Sequence, residues 1–194
     1  RCALKNKEIL SEKVQKHHPM NKEKFLEMRR HLQEEQKSII RMATNFFCLN
    51  RCSFSGTTLS GGYSQQAASG RFTQSSIDRI KNFKCPNLTI RYKHFKNSIR
   101  CHNDDLLYLD PPYLLDNSKL YGTNGDMHSK FEHDLLYEIL STRNKWILSY
   151  NNHPDIVEKY KKYKIYNVDW TYGMSKNKKS KEIIIVSNDI IPRL

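Results

Sequence analysis

The run Leu106-Leu107-Tyr108-Leu109-Asp110-Pro111-Pro112-Tyr113 constrains this chain more than any other segment. Its first four residues have the length and β-former content of a buried strand, and the two prolines must end it. Each proline fixes its own φ and donates no backbone hydrogen bond, so the turn is rigid and its carbonyls stay free to accept. Asp110 is thereby placed at a strand's carboxyl end, beside a stiff turn that carries the ring of Tyr113. A carboxylate and free carbonyls can hold an exocyclic amino group, and a ring can stack on the base that bears it. The plainer reading is a strand that ends in a proline turn with a capping Asp.

From residue 87 onward, strand and helix patterns alternate. Strands are expected at 88–92, 106–110, 145–150, 163–169 and 182–187, and helices at 131–142 and 155–161. Pro154 followed by Asp155 suits a helix start. The alternation predicts an α/β sheet with 106–110 and 145–150 parallel, closed by an antiparallel hairpin whose polar loop is 171–181. Ligands in such sheets bind beyond the carboxyl ends of parallel strands. That places Asp110 and the segment Ser149-Tyr150-Asn151-Asn152 on one cleft. Residues 1–86 read differently. Helical spacing covers 4–16, 22–50 and 76–83, with Asn21 as an N-cap, and a Gly/Ser/Thr-rich exposed loop spans about 53–76.

Lys and Arg number 33 against 20 Asp and Glu, a formal net charge of +13 over 194 residues. That excess suits a polyanionic partner. No stretch approaches the roughly 20 apolar residues of a membrane span, and the first residues lack an apolar signal core, which points to an intracellular protein. The five cysteines include no C-x-x-C pair. Cys48 and Cys52 are four apart without a second pair to complete a metal site, so reduced thiols and no metal are expected.

Asp-Pro-Pro-Tyr at 110–113 resembles the motif of N6-adenine DNA methyltransferases. Phe-Phe-Cys-Leu-Asn-Arg-Cys-Ser-Phe-Ser-Gly at 46–56 is similar to the helix-to-loop segment of their Dam-like, alpha-group members. Residues 131–140, Trp-Ile-Leu-Ser-Tyr-Asn at 146–151 and Glu-Ile-Ile-Ile-Val-Ser-Asn at 182–188 extend the match over 22–188. The resemblance implies a partial class I methyltransferase-like (Rossmann-like) sheet, with a helical DNA-recognition region (1–86) inserted before the catalytic strand of an α/β part (87–194). It implies site-specific transfer of a methyl group from S-adenosylmethionine to N6 of a flipped adenine in double-stranded DNA, without metal, in a restriction-modification setting and in the cytoplasm if bacterial. Asp110, Pro111, Pro112 and Tyr113 would be the catalytic residues, the first two accepting from the adenine amino group and Tyr113 stacking on the base. Asp110 and Phe95 would face the cofactor. Asn50, Arg51, Phe54, Ser55, Gly56 and Arg71 would face DNA. Phe54 reads equally as a wedge beside the extruded base or as a buried ring anchoring a loop. Lys176, Lys178, Lys179 and Lys181 read equally as a solvated run or as part of a loop over the cleft.

The departures matter as much. The family carries a Phe-x-Gly-x-Gly loop after its first strand, and none of the seven glycines here forms that pattern. Its first two core strands also lack a counterpart, which leaves an exposed sheet edge. A fragment is therefore expected, or one part of a split enzyme completed by an N-terminal segment or second polypeptide. The alternative function is a catalytically inactive DNA-binding remnant. Methylation of a protein glutamine is a third reading; enzymes of that kind resemble Asn-Pro-Pro-Tyr, so Asp110 weighs against it.

Overall fold

A computed structural model describes residues 2–33, 38–114, 131–171 and 179–190. Two compact units divide between Arg91 and Tyr92.

The first unit is helical. α1 (Cys2–Lys5), α2 (Lys7–Gln15), α3 (Lys22–Gln33), α4 (Ile39–Cys52), a 3₁₀ turn at Phe54–Gly56, α5 (Gln65–Arg71) and α6 (Gln74–Lys81) follow in order. Asn21 caps α3, its side chain accepting from the Lys24 amide at 2.9 Å. The expected single helix over 22–50 is two. Ser38 caps a separate α4 by accepting from the Arg41 amide, a bond that typically contributes about 1 kcal/mol. The expected loop over 53–76 also holds structure. Ser64 and Thr73 cap α5 and α6, and Thr73 forms a capping box with Ser76. Hydroxyl residues that read as loop composition thus start helices, and Ala68 and Phe72, one turn apart, enter the core. That core is built on Val14, Phe25, Met28, Cys48, Leu49 and Ile77.

The second unit holds α7 (Phe95–Arg100), β1 (Leu107–Leu109), α8 (His133–Ser141), β2 (Trp146–Asn151), α9 (Pro154–Lys159), β3 (Lys164–Thr171) and β4 (Lys179–Val186). Its sheet runs β1-β2-β4-β3. β1 and β2 are parallel, while β4 is antiparallel to both β2 and β3. Leu107 pairs with Trp146, Leu109 with Leu148, and Leu148 with Ile185, so these side chains share one face. Leu136 and Leu140 of α8 and Ile156 and Tyr160 of α9 join them in the core. Pro154 takes the first helical position of α9.

Two sequence expectations fail here. Residues 88–92 form no strand: Leu88 and Ile90 are exposed and Tyr92 is 100% accessible. Their apolar alternation buries no face, so it lacks the packing that gives strand-forming residues their advantage. The hairpin is also longer than expected, since Lys179 and Lys181 lie in β4. Lys176 and Lys178 lie outside the described residues.

Candidate active site and its supporting residues

Asp110 follows β1 directly and is exposed at its carboxyl end. β1 lies at one end of the strand order. Only three residues long, it pairs with β2 over Leu107–Leu109. The Asp-Pro-Pro-Tyr turn leaves it with each residue from Pro111 to Leu114 half-buried. β2 ends alongside. Because side chains alternate, Ser149 and Asn151 project to one face while Trp146, Leu148 and Tyr150 project to the core. The Ser149 hydroxyl lies 3.1 Å from the Tyr113 hydroxyl. Asn151 Nδ2 donates to the Leu114 carbonyl at 2.7 Å. β2 therefore holds the turn at two points. Burial pushes the Tyr113 hydroxyl up to about 12; the Ser149 bond works against that shift, and the nearby Asp110 carboxylate adds to it. The tyrosine is neutral at physiological pH.

Phe95 is the first residue of α7 and is half-buried. Its ring packs on Phe131 at 5.1 Å between centroids. Phe131 meets His133 at 5.0 Å, His133 meets Tyr150 at 5.8 Å, and Tyr150 meets Tyr113 at 6.0 Å. A continuous run of rings thus joins Phe95 to Tyr113 within the second unit. His133 Nδ1 is also hydrogen-bonded to the Tyr150 hydroxyl. Phe131 and His133 lie in the 131–140 segment of the resemblance but were not singled out, because neither belongs to a motif of its own. Asp104 and Asp105 sit in the turn before β1, with Asp105 held against His102 Nδ1 at 2.7 Å. They are turn residues and do not reach the strand end.

In the first unit, the loop after α4 is tightly organised. Phe54 pairs its amide with the Gly62 carbonyl at 2.9 Å, and Ser53 bridges to Tyr63. Ser55 and Gly56 take φ of +51° and +74°. Asn50 Nδ2 donates to the Gly56 carbonyl at 2.7 Å and to the Thr58 hydroxyl at 3.3 Å. Arg71 donates to the Ser53 carbonyl. Both residues, expected to face DNA, are turned inward as braces, and Arg71 is engaged with the loop backbone rather than presented as a reader of base edges. Arg51 lies over the Phe47 ring at 5.4 Å. What the loop presents outward is Phe54, 67% accessible, and Ser55. The reading of Phe54 as a buried loop anchor is therefore wrong. Basic charge concentrates in this half: residues 1–91 hold 17 Lys and Arg against 7 Asp and Glu, and residues 92–194 hold 16 against 13.

The cysteines take no part in either site. All five are free thiols, with Cys2, Cys48 and Cys52 buried. Among the described residues no helix is long and apolar enough to cross a membrane.

A mixed sheet whose outermost strand, among the described residues, ends in an acidic, proline-stiffened turn with aromatic rings beside it fits the methyltransferase class already suggested by the motif. The profile of the D12 class N6 adenine-specific DNA methyltransferases matches residues 1–174. The chain belongs to that family: it is an adenine-specific DNA methyltransferase, a transferase acting on N6 of adenine in DNA. The match favours this over a catalytically inactive remnant. No curated protein matches the chain significantly.

Proposed function

We propose that the Asp110–Tyr113 turn is where the methyl group is transferred, and that S-adenosylmethionine supplies it, within a Dam-like enzyme acting on double-stranded DNA. The observation that carries this reading is the exposed Asp110 carboxylate at the carboxyl end of β1, with Tyr113 fixed beside it by Ser149. An adenine amino group brought there meets two acceptors, the Asp110 carboxylate and the Pro111 carbonyl. Accepting both N–H groups turns the nitrogen lone pair away from the turn. Asp110 then stabilises the positive charge that grows on N6 as the carbon–nitrogen bond forms, and the surplus proton leaves to solvent. No strong base is required. Pro111 and Pro112 keep the carbonyls in place because their φ angles are fixed. Tyr113 offers its ring face to the extruded base.

The residues present suit the adenosyl end of the donor. Phe95 is a half-buried ring in the same aromatic run as Tyr113, and it would lie against the donor's adenine. When bound, the donor would supply an electrophilic methyl group, whose carbon–sulfur bond breaks as the carbon–nitrogen bond forms and whose sulfur leaves as the neutral thioether of S-adenosylhomocysteine. In the helical unit, Phe54 and Ser55 would meet DNA, with Asn50, Gly56 and Arg71 holding their loop and Arg51 adding its charge. The excess of basic residues in this half suits the phosphate backbone.

The test is Asp110→Ala. Losing an acceptor that acts on developing charge costs on the order of 3 kcal/mol, more than a hundredfold in rate. DNA affinity should hold, because Asp110 neutralises no phosphate. Methyl incorporation by the variant near the wild-type rate would refute the assignment.

A further inference from the structure

We infer that Asn151 is a positioning residue for methyl transfer, acting through the backbone of the Asp-Pro-Pro-Tyr turn. This rests on the reading of that turn as the transfer site. The prolines fix their own φ, but nothing in them fixes the chain after Pro112. β1 offers little support, being three residues long and at the end of the strand order. The support comes from β2. Ser149 holds the Tyr113 side chain at 3.1 Å. Asn151 holds the next residue's main chain, donating to the Leu114 carbonyl at 2.7 Å. The two are spaced by two residues and so share a face. The Asn151 backbone is itself tied into the ladder, in register with Glu182 of β4.

The amide's orientation follows from chemistry. The Leu114 carbonyl needs a donor, so Nδ2 must face it. That leaves Oδ1 buried without a hydrogen-bond partner among the described residues. A buried unsatisfied acceptor lowers stability, and an apolar side chain of similar size would avoid the loss. Among the described residues, the position carries that cost while keeping one bond on the turn. A leucine there would restore packing but release Leu114, and Tyr113 and the Pro111 carbonyl would shift with it. Small misplacements at a reacting centre cost rate more than affinity.

Asn151→Leu, Asn151→Asp and Asp110→Ala are compared with the wild-type protein in steady-state methylation of duplex oligonucleotides. Melting temperature is recorded alongside, as is the fluorescence of 2-aminopurine at the target adenine. Asn151→Leu should melt no lower than wild type, while Asn151→Asp, which sets a carboxylate against the Leu114 carbonyl, should melt lower. Both variants should keep KM for DNA within about twofold. Their kcat should fall at least about tenfold. The bound 2-aminopurine should be brighter, because a displaced Tyr113 quenches it less. Asn151 variants with wild-type kcat, beside an inactive Asp110→Ala, would overturn the inference and leave the site reading standing. A kcat loss accompanied in Asn151→Leu by a lower melting temperature would overturn it too, in favour of a role in the fold. An Asp110→Ala protein as active as wild type would overturn the site reading and the inference with it.

Discussion

Removing the Ser149 hydroxyl deletes one end of a 3.1 Å bond to the Tyr113 hydroxyl. Removing the Tyr113 hydroxyl also ends its interaction with the Asp110 carboxylate, so Tyr113→Phe should cost at least as much as Ser149→Ala. A hydrogen bond between neutral groups is worth about 0.5–1.5 kcal/mol net. If all of it is expressed in the transition state, Ser149→Ala loses about twofold to tenfold in kcat/KM, and Tyr113→Phe at least as much. Tyr113→Ala removes the ring as well. Stacking on an extruded base adds about 1–3 kcal/mol, so its total loss should exceed that of Tyr113→Phe by about fivefold to a hundredfold. The Tyr113→Phe, Ser149→Ala double variant should be no worse than Tyr113→Phe alone, since neighbours that share one bond are not additive. The assay is methyl incorporation into duplex DNA under kcat/KM conditions. A silent Ser149→Ala would refute the reasoning, because the ring would then not depend on that bond for its orientation. Equal losses in Tyr113→Phe and Tyr113→Ala would remove the case for stacking.

Gly56→Ala should weaken DNA binding and lower stability by about 1–2 kcal/mol, the cost of the left-handed region for an L-residue. Its φ is +74°, and the added Cβ would meet the Arg71 guanidinium at 3.1 Å; chemical denaturation and DNA titration read both effects, and an unchanged protein would show that the loop is not braced as described. Alkaline stability offers a separate check. Burial raises the thiols of Cys48 and Cys52 to about 12 from an ordinary 9.0, and burial raises Tyr150 and Tyr160 above their ordinary 10.0. Groups raised on folding give stability that is fully present below their unfolded values and lost as pH rises through the folded ones. Unfolding free energy should therefore stay flat up to about pH 9 and decline from there toward pH 12. The decline should shrink when Cys48 and Cys52 are both replaced by Ala, and an identical pH slope would contradict the buried-thiol account.

The parallel pair β1 and β2 was legible because each strand is a compact apolar run with an unmistakable stop, the two prolines in one case and His153-Pro154 in the other. The hairpin of β3 and β4 was legible in kind but not in length, since Lys179 and Lys181 look like loop residues until a partner strand is known. The segment 88–92 shows the converse. Leu-Thr-Ile-Arg-Tyr alternates as a strand should, yet strand pairing is a property of two segments and the sequence displays only one. Ser64 and Thr73 read as loop composition and proved to be helix caps. At the site, Asp110 and Tyr113 stood out because the motif is dense and rigid. Ser149 and Asn151 were visible only as the end of the next strand. Their grip on the turn depends on which side chains share a face, and the register that decides this is set by β4. Asn50 and Arg71 looked like DNA-facing groups because charge and amide chemistry suit bases. Composition could not reveal that a loop with two consecutive positive-φ residues would need both as braces.

The most direct test is the identity of the methylated product. Duplex DNA is incubated with the protein and tritiated S-adenosylmethionine, digested to nucleosides and resolved by chromatography. The account predicts that label co-migrates with N6-methyldeoxyadenosine and is absent from the Asp110→Ala reaction. Label in a methylated cytosine, or equal N6-methyldeoxyadenosine from wild type and Asp110→Ala, would contradict it.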